Sequence, residues 1–251
     1  MTGAGLFLIG GVAAGINAVA GGGSLISFPF LTEAIKIPSI QANATNSAAL
    51  WPGSLAGAFG FKDLLHKTRH YLKLLALPTL VGSSFGAWLL TVSTRKTFDS
   101  IIPFLILLAS LMLTLQPKIK ALAKRHDRSM PLWVGVLTQL LVATYGGYFG
   151  AGMGLMMLGS FALYMEGNIH ELNAVKNWLG LIVNFAASAL LALKGMVQWD
   201  AFIFLALGAI TGGFFSAKYS QRVDSEKLRW VIALYGFGMT GYFFWRAFFR
   251  S

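Results

Sequence analysis

Six stretches of this chain, roughly residues 42 to 61, 71 to 92, 98 to 116, 172 to 193, 201 to 220 and 228 to 248, are almost wholly apolar. Each is about as long as the 20 residues a helix needs to cross a bilayer. Composition points the same way, with 56% apolar and 12% charged residues among 251, where a soluble domain carries about a quarter charged. So little polar surface cannot cover a water-soluble globule of this size. The expected fold class is an all-α membrane protein, a polytopic helical bundle whose first partner is the lipid bilayer.

The charge is one-sided, 20 Lys and Arg against 9 Asp and Glu. Its cations fall in short tracts between apolar blocks, such as Lys118, Lys120, Lys124, Arg125 and Arg128. That is the pattern of loops facing the cytoplasm and not the continuous stripe of a nucleic-acid surface, so no nucleic-acid partner is expected. There is no cysteine, which removes disulfides, thiolate metal sites and cysteine nucleophiles. No basic region precedes the first apolar run at Leu6, so a cleaved signal peptide is not expected.

Two further apolar blocks, 5 to 35 and 131 to 165, are too long for one span and are cut by glycine, at Gly21-Gly22-Gly23 and between Gly146 and Gly152. Each piece is about 15 residues, or 22 Å of helix, enough to reach the midplane and stop. A shift of 130 residues lays the second half on the first without a gap, pairing Gly22 with Gly152, Asn43-Ala44 with Asn173-Ala174 and Gly82 with Gly212. We read two internal repeats, 1–116 and 131–251, joined by a basic cytoplasmic linker at 117–130. The repeats are inverted if each cut block turns back and parallel if it crosses once. Counting Lys and Arg by side gives 13 against six for the first and 12 against seven for the second, Lys176 omitted, which favours inversion.

Glycines that unwind a helix leave the next half-helix with unpaired amides and a positive dipole end, a place for an anion. Gly21, Gly22 and Gly23 fit that role with Asn17 and Ser24 beside them, and Gly152 and Tyr148 stand at the second break. Close helix packing through small residues is the competing reading. A polar stripe adds to the site: Asn43, Asn46, Ser47 and Ser54 share a spacing with Asn173, Lys176, Asn177 and Asn184, along one helix face in each half. Such residues in an apolar span line a cavity, or bond helices to each other, or, for Asn43 and Asn173, cap helix starts. Lys176 calls for an anion or else snorkels to the interface. Glu33 is open to a proton or to water, and Tyr145 to a pore or to packing. The histidines read as loop residues. No HExxH, nucleophile elbow or Walker sequence occurs, so the chain is not expected to be an enzyme, and no metal or cofactor is implied.

The run from Gly15 through Asn17-Ala18-Val19-Ala20-Gly21-Gly22-Gly23-Ser24, then Pro29, Asn43-Ala44-Thr45-Asn46 and Pro52-Gly53, with its weaker second copy from Gly146 to Ala174, resembles the sulfite exporter TauE/SafE family. The resemblance covers essentially the whole chain. It implies a permease of the bacterial or archaeal cytoplasmic (inner) membrane, moving small sulfur-containing anions such as sulfite or organosulfonates. An anion channel and a membrane-embedded enzyme of sulfur or lipid metabolism are the alternatives. The sequence leaves the anion, the driving ion and the oligomeric state open.

Overall fold

The computed structural model describes residues 2–19, 22–60, 65–66, 68–123, 130–219 and 225–249. Among these residues there are ten α-helices and no strand. The first cut block gives α1 (Thr2–Val19) and α2 (Ser24–Pro29). Pro29 lacks the N–H that the next turn requires, and α2 runs on as a π-helical turn, Phe30–Ala34, closed by Ile35 N–H to Phe30 O at 3.1 Å. Then come α3 (Ser39–Gly60), α4 (Arg69–Val92) and α5 (Arg95–Ala123). The second cut block gives α6 (Leu132–Tyr148) and α7 (Met153–Tyr164), followed by α8 (Ile169–Leu193), α9 (Trp199–Tyr219) and α10 (Ser225–Phe248). Each apolar stretch is thus one helix. By length and composition, the segments Arg69–Val92, Arg95–Ile119 and His170–Leu193 can cross a membrane.

Two boundaries differ from the expectation. α5 continues through Pro117 to Ala123, so the start of the expected linker is helical. Neither Asn43 nor Asn173 caps a helix: each lies in a second turn, and α8 is capped by Asn168, which forms a reciprocal capping box with Glu171, satisfying two end amides.

Glycine sets which helices touch. A Cβ on Gly10 would strike the carbonyl of Leu205, one on Gly208 that of Phe7 and one on Gly212 that of Gly11. These positions rise together, so α1 and α9 run parallel, backbone against backbone. The same holds for α4 and α6, where Gly82 meets Leu140, Gly86 meets Thr144 and Gly147 meets Ser83. Gln139 adds a hydrogen bond to Thr79 Oγ1 at 2.8 Å inside that seam. By contrast α5 and α10 are antiparallel, Ser110 beside Gly236 and Phe104 beside Phe244. Large apolar side chains cover the outside, among them Leu77, Leu141, Phe214 and Leu234, as expected of a surface that lipid wets.

Each cut block folds back on itself. Gly23 packs on Ala13 and Gly5 on Phe30, so α2 descends beside α1; Gly146 packs on Met153 and Gly135 on Tyr164, so α7 returns beside α6. The result is two helical hairpins with glycine at their tips.

Candidate functional site

Both tips come to one turn of α5. Gly22, at φ +121°, is buried, and a Cβ there would lie 2.8 Å from Leu113 Cδ1; Gly152, at φ +77°, would bring a Cβ to 3.3 Å from Ala109 Cα. Ala109 and Leu113 are one helical turn apart, about 6 Å along the axis. Left-handed backbone at these two positions is open to glycine and strained for other residues, which explains why the breaks fall there. Aromatic rings close the centre, Phe28 of α2 lying edge-on to Phe149 of the second tip at 5.4 Å.

The first tip is capped from within. Asn17 Oδ1, in the last turn of α1, accepts from Gly22 N–H at 3.0 Å and Gly23 N–H at 2.7 Å. The amides expected to stand open therefore hold an oxygen already, that of an exposed side chain. Ser24 opens α2 and is half-buried; Gly21 lies outside the described residues.

The second tip is closed differently. Phe149 and Gly150 N–H return to Tyr145 O, and the Tyr145 phenol donates to Ala151 O at 2.6 Å, so Tyr145 braces the turn. Tyr148 ends α6; its hydroxyl is 3.2 Å from Ser93 Oγ and its ring packs on Phe98. Gly152 N-caps the 12-residue α7 in the left-handed conformation.

The polar stripes spread across these elements. Asn43 Nδ2 donates to Tyr148 O at 2.8 Å, joining α3 to the second tip. Asn46 Oδ1 accepts from Ser27 Oγ at 2.5 Å, joining α3 to α2. Ser54 and Asn184, 130 residues apart, meet each other at 3.1 Å. On α8, Lys176 Nζ donates to Asn173 Oδ1 at 2.9 Å. Its stem lies 3.4 Å from the Cβ position of Gly154, in the first turn of α7. Ser47 and Asn177 are half-buried on their helices. Asn43 is thus brought to the second tip and Lys176 to the start of α7, while Asn46 bonds two helices.

A second polar cluster was not legible as such. Glu33, in the π turn, accepts from Tyr242 OH at 2.7 Å and pairs with Arg246, both on α10, with Lys36 Nζ at 3.9 Å. It borders an open groove of about 450 Å³ between α1, α2 and α10. Ser27, the partner of Asn46, also carried no signal in the sequence, standing between apolar neighbours.

Chemically the centre offers a lysine ammonium, amide side chains, and the positive end of α7. These favour a small anion. Among the described residues there is no group of His, Cys, Asp and Glu fit to hold a metal.

Comparison with known proteins agrees. The family model described as Sulfite exporter TauE/SafE matches residues 6–243. A probable membrane transporter protein of Haemophilus influenzae is 28% identical over 235 residues, 94% of this chain and 91% of that protein. The probable membrane transporter protein YfcA of Escherichia coli K12 is 28% identical over 223 residues, 88% and 80% of the two chains, and the Sinorhizobium protein ORF9, of the same description, is 24% identical over 229 residues, 91% and 87%. No solved structure matches significantly. An all-helical chain with lipid-facing apolar surfaces, matched by that model over nearly its whole length, is a membrane transporter and belongs to the sulfite exporter TauE/SafE family.

Proposed function

We propose that this protein carries small sulfur-containing anions, sulfite or a short organosulfonate, across the inner membrane through a site between its two glycine tips. The observation that supports this most is the convergence of both tips on one turn of α5, with Lys176 against the first turn of α7. A half-helix pointing its positive end at a midplane site is how transporters hold anionic groups without a dedicated charge cage. In this reading Asn17 keeps the first tip's amides satisfied until a substrate oxygen replaces its own, and its Nδ2 then turns to the substrate.

The reading includes two inverted repeats. Helix starts fall at offsets of 130 residues, Ser39 with Ile169, Arg69 with Trp199 and Arg95 with Ser225. The antiparallel packing of α5 on α10 and the turn-back of both hairpins support inversion. It gives the site an axis of pseudo-symmetry in the membrane plane, and rocking about that axis exposes the site to either side.

Purified protein in liposomes should move sulfite faster than protein-free vesicles do. Lys176→Gln, with the fold retained, should weaken half-saturation by about tenfold or more, the worth of a hydrogen bond to a charged group. A panel of sulfur oxyanions that shows no flux beside clear movement of a cation or neutral solute would overturn the assignment, and single-channel currents would replace the carrier with a channel.

A further inference from the structure

The two halves place the same asparagine in different company. Asn173, in the second turn of α8, gives its Oδ1 to an ammonium, that of Lys176 at 2.9 Å. Asn43 holds the corresponding place in α3, 130 residues earlier, but there the residue one turn on is Asn46, whose own Oδ1 is turned to Ser27. Asn43 Oδ1 consequently has no donor, in a residue only 1% exposed. A buried acceptor without a partner is costly and calls for an explanation.

Its surroundings supply one. The Nδ2 of the same side chain donates to Tyr148 O, which anchors the amide at the carbonyl end of the 17-residue α6. That end carries the negative pole of the helix dipole, and left-handed Gly150 and Gly152 turn the chain away beyond it. An oxygen lacking a donor beside the negative end of a helix suits a positive ion. With amide and carbonyl oxygens and no carboxylate among the groups named, a monovalent ion fits better than Ca²⁺, whose sites draw on carboxylates.

We propose that Asn43 Oδ1 and the carbonyl end of α6 bind a free alkali cation, Na⁺, which fills in the first half the place that the Lys176 ammonium fills in the second. Transporters use the carbonyl ends of broken helices for coupling cations and the amide ends for anionic groups. Here one break would present both, the end of α6 to the cation and the start of α7 to the anion. The coupling role rests on the anion-carrier function proposed for this protein; the cation site itself does not.

Binding of radioactive Na⁺ to the full chain in detergent, with choline chloride holding ionic strength constant and no sulfur anion added, tests it. The wild type should bind one Na⁺ per chain saturably, and Asn43→Leu none. Lys176→Asn gives the second half the first half's pair and should raise the count to two. Where Asn43→Leu fails to fold, Asn43→Asp decides: a carboxylate in the amide's place should tighten Na⁺ binding by about tenfold or more, and unchanged affinity overturns the proposal. So does a wild type with no saturable Na⁺ binding, or a folded Asn43→Leu that keeps it. Intact Na⁺ binding in protein that moves no sulfur anion would remove the proposed cargo and leave the site standing.

Discussion

The two hairpin tips solve one problem by different chemistry. Each must end a helix inside an apolar bundle, where the loose amides and carbonyls cannot turn to water. The first uses a side-chain acceptor, Asn17, on two amides of the returning strand. The second uses a donor, the Tyr145 phenol, on a carbonyl, and the amides of Phe149 and Gly150 go back to α6. The position equivalent to Asn17 is Gly147, which is needed for the close approach to Ser83, and the position equivalent to Tyr145 is Gly15. A similar backbone break has therefore been closed from opposite sides of the hydrogen bond. The lesson is that backbone geometry can repeat while the groups that satisfy it differ.

The sharpest way to break this comparison is at the glycines. Gly22→Val combines a left-handed φ with a clash against Leu113, of order 3 kcal/mol or more from strain and overpacking together. We expect loss of the monodisperse folded peak in size-exclusion chromatography. Gly152→Ala meets only Ala109 at ordinary close range and should cost about 1–2 kcal/mol, visible as a lowered Tm in a protein that still assembles. Equal effects at the two sites would mean the tips are not packed as described.

Next come the closures themselves. Asn17→Ala leaves two amides without an acceptor, whereas Tyr145→Phe leaves one carbonyl without its donor. The first should destabilise by about 1–3 kcal/mol and the second by about 0.5–1.5 kcal/mol, compared by thermal unfolding in the same detergent. A larger loss for Tyr145→Phe would make the phenol, and not the asparagine, the more important closure. The smallest effect is expected where the stripes meet. Ser54→Ala removes one part-buried hydrogen bond to Asn184 and should cost about 0.6 kcal/mol, the average for such pairs in membrane bundles. A change beyond about 2 kcal/mol would show that this contact organises the bundle.

Much of the architecture was readable because bilayer physics acts on long windows. Length and hydropathy marked out the six helices, and glycine runs marked both breaks, since few other residues are tolerated at φ near those of Gly22 and Gly152. The site was less legible. The spacing of Asn43, Asn46 and Lys176 placed them on helix faces, but their partners are Tyr148, Ser27 and Asn173, and the first two belong to other elements. Such bonds depend on how hairpins pack, which no local period encodes. The Glu33 cluster illustrates the same limit, since Tyr242 and Arg246 stand more than 200 residues away.

The glycine seams also decide when this molecule can be completed. α1 is buried along its glycine face by α9, a helix that leaves the ribosome almost 200 residues later. Until then the groove around Gly10 and Gly11 faces lipid or a provisional neighbour, and α4 waits likewise, for less time, on α6. The first half therefore cannot reach its final packing as synthesis passes the linker, and assembly is a late event spread over the whole chain, as contacts of long sequence separation require. A membrane that inserted α1 quickly would gain nothing from doing so, since the seam that fixes its place is among the last parts made.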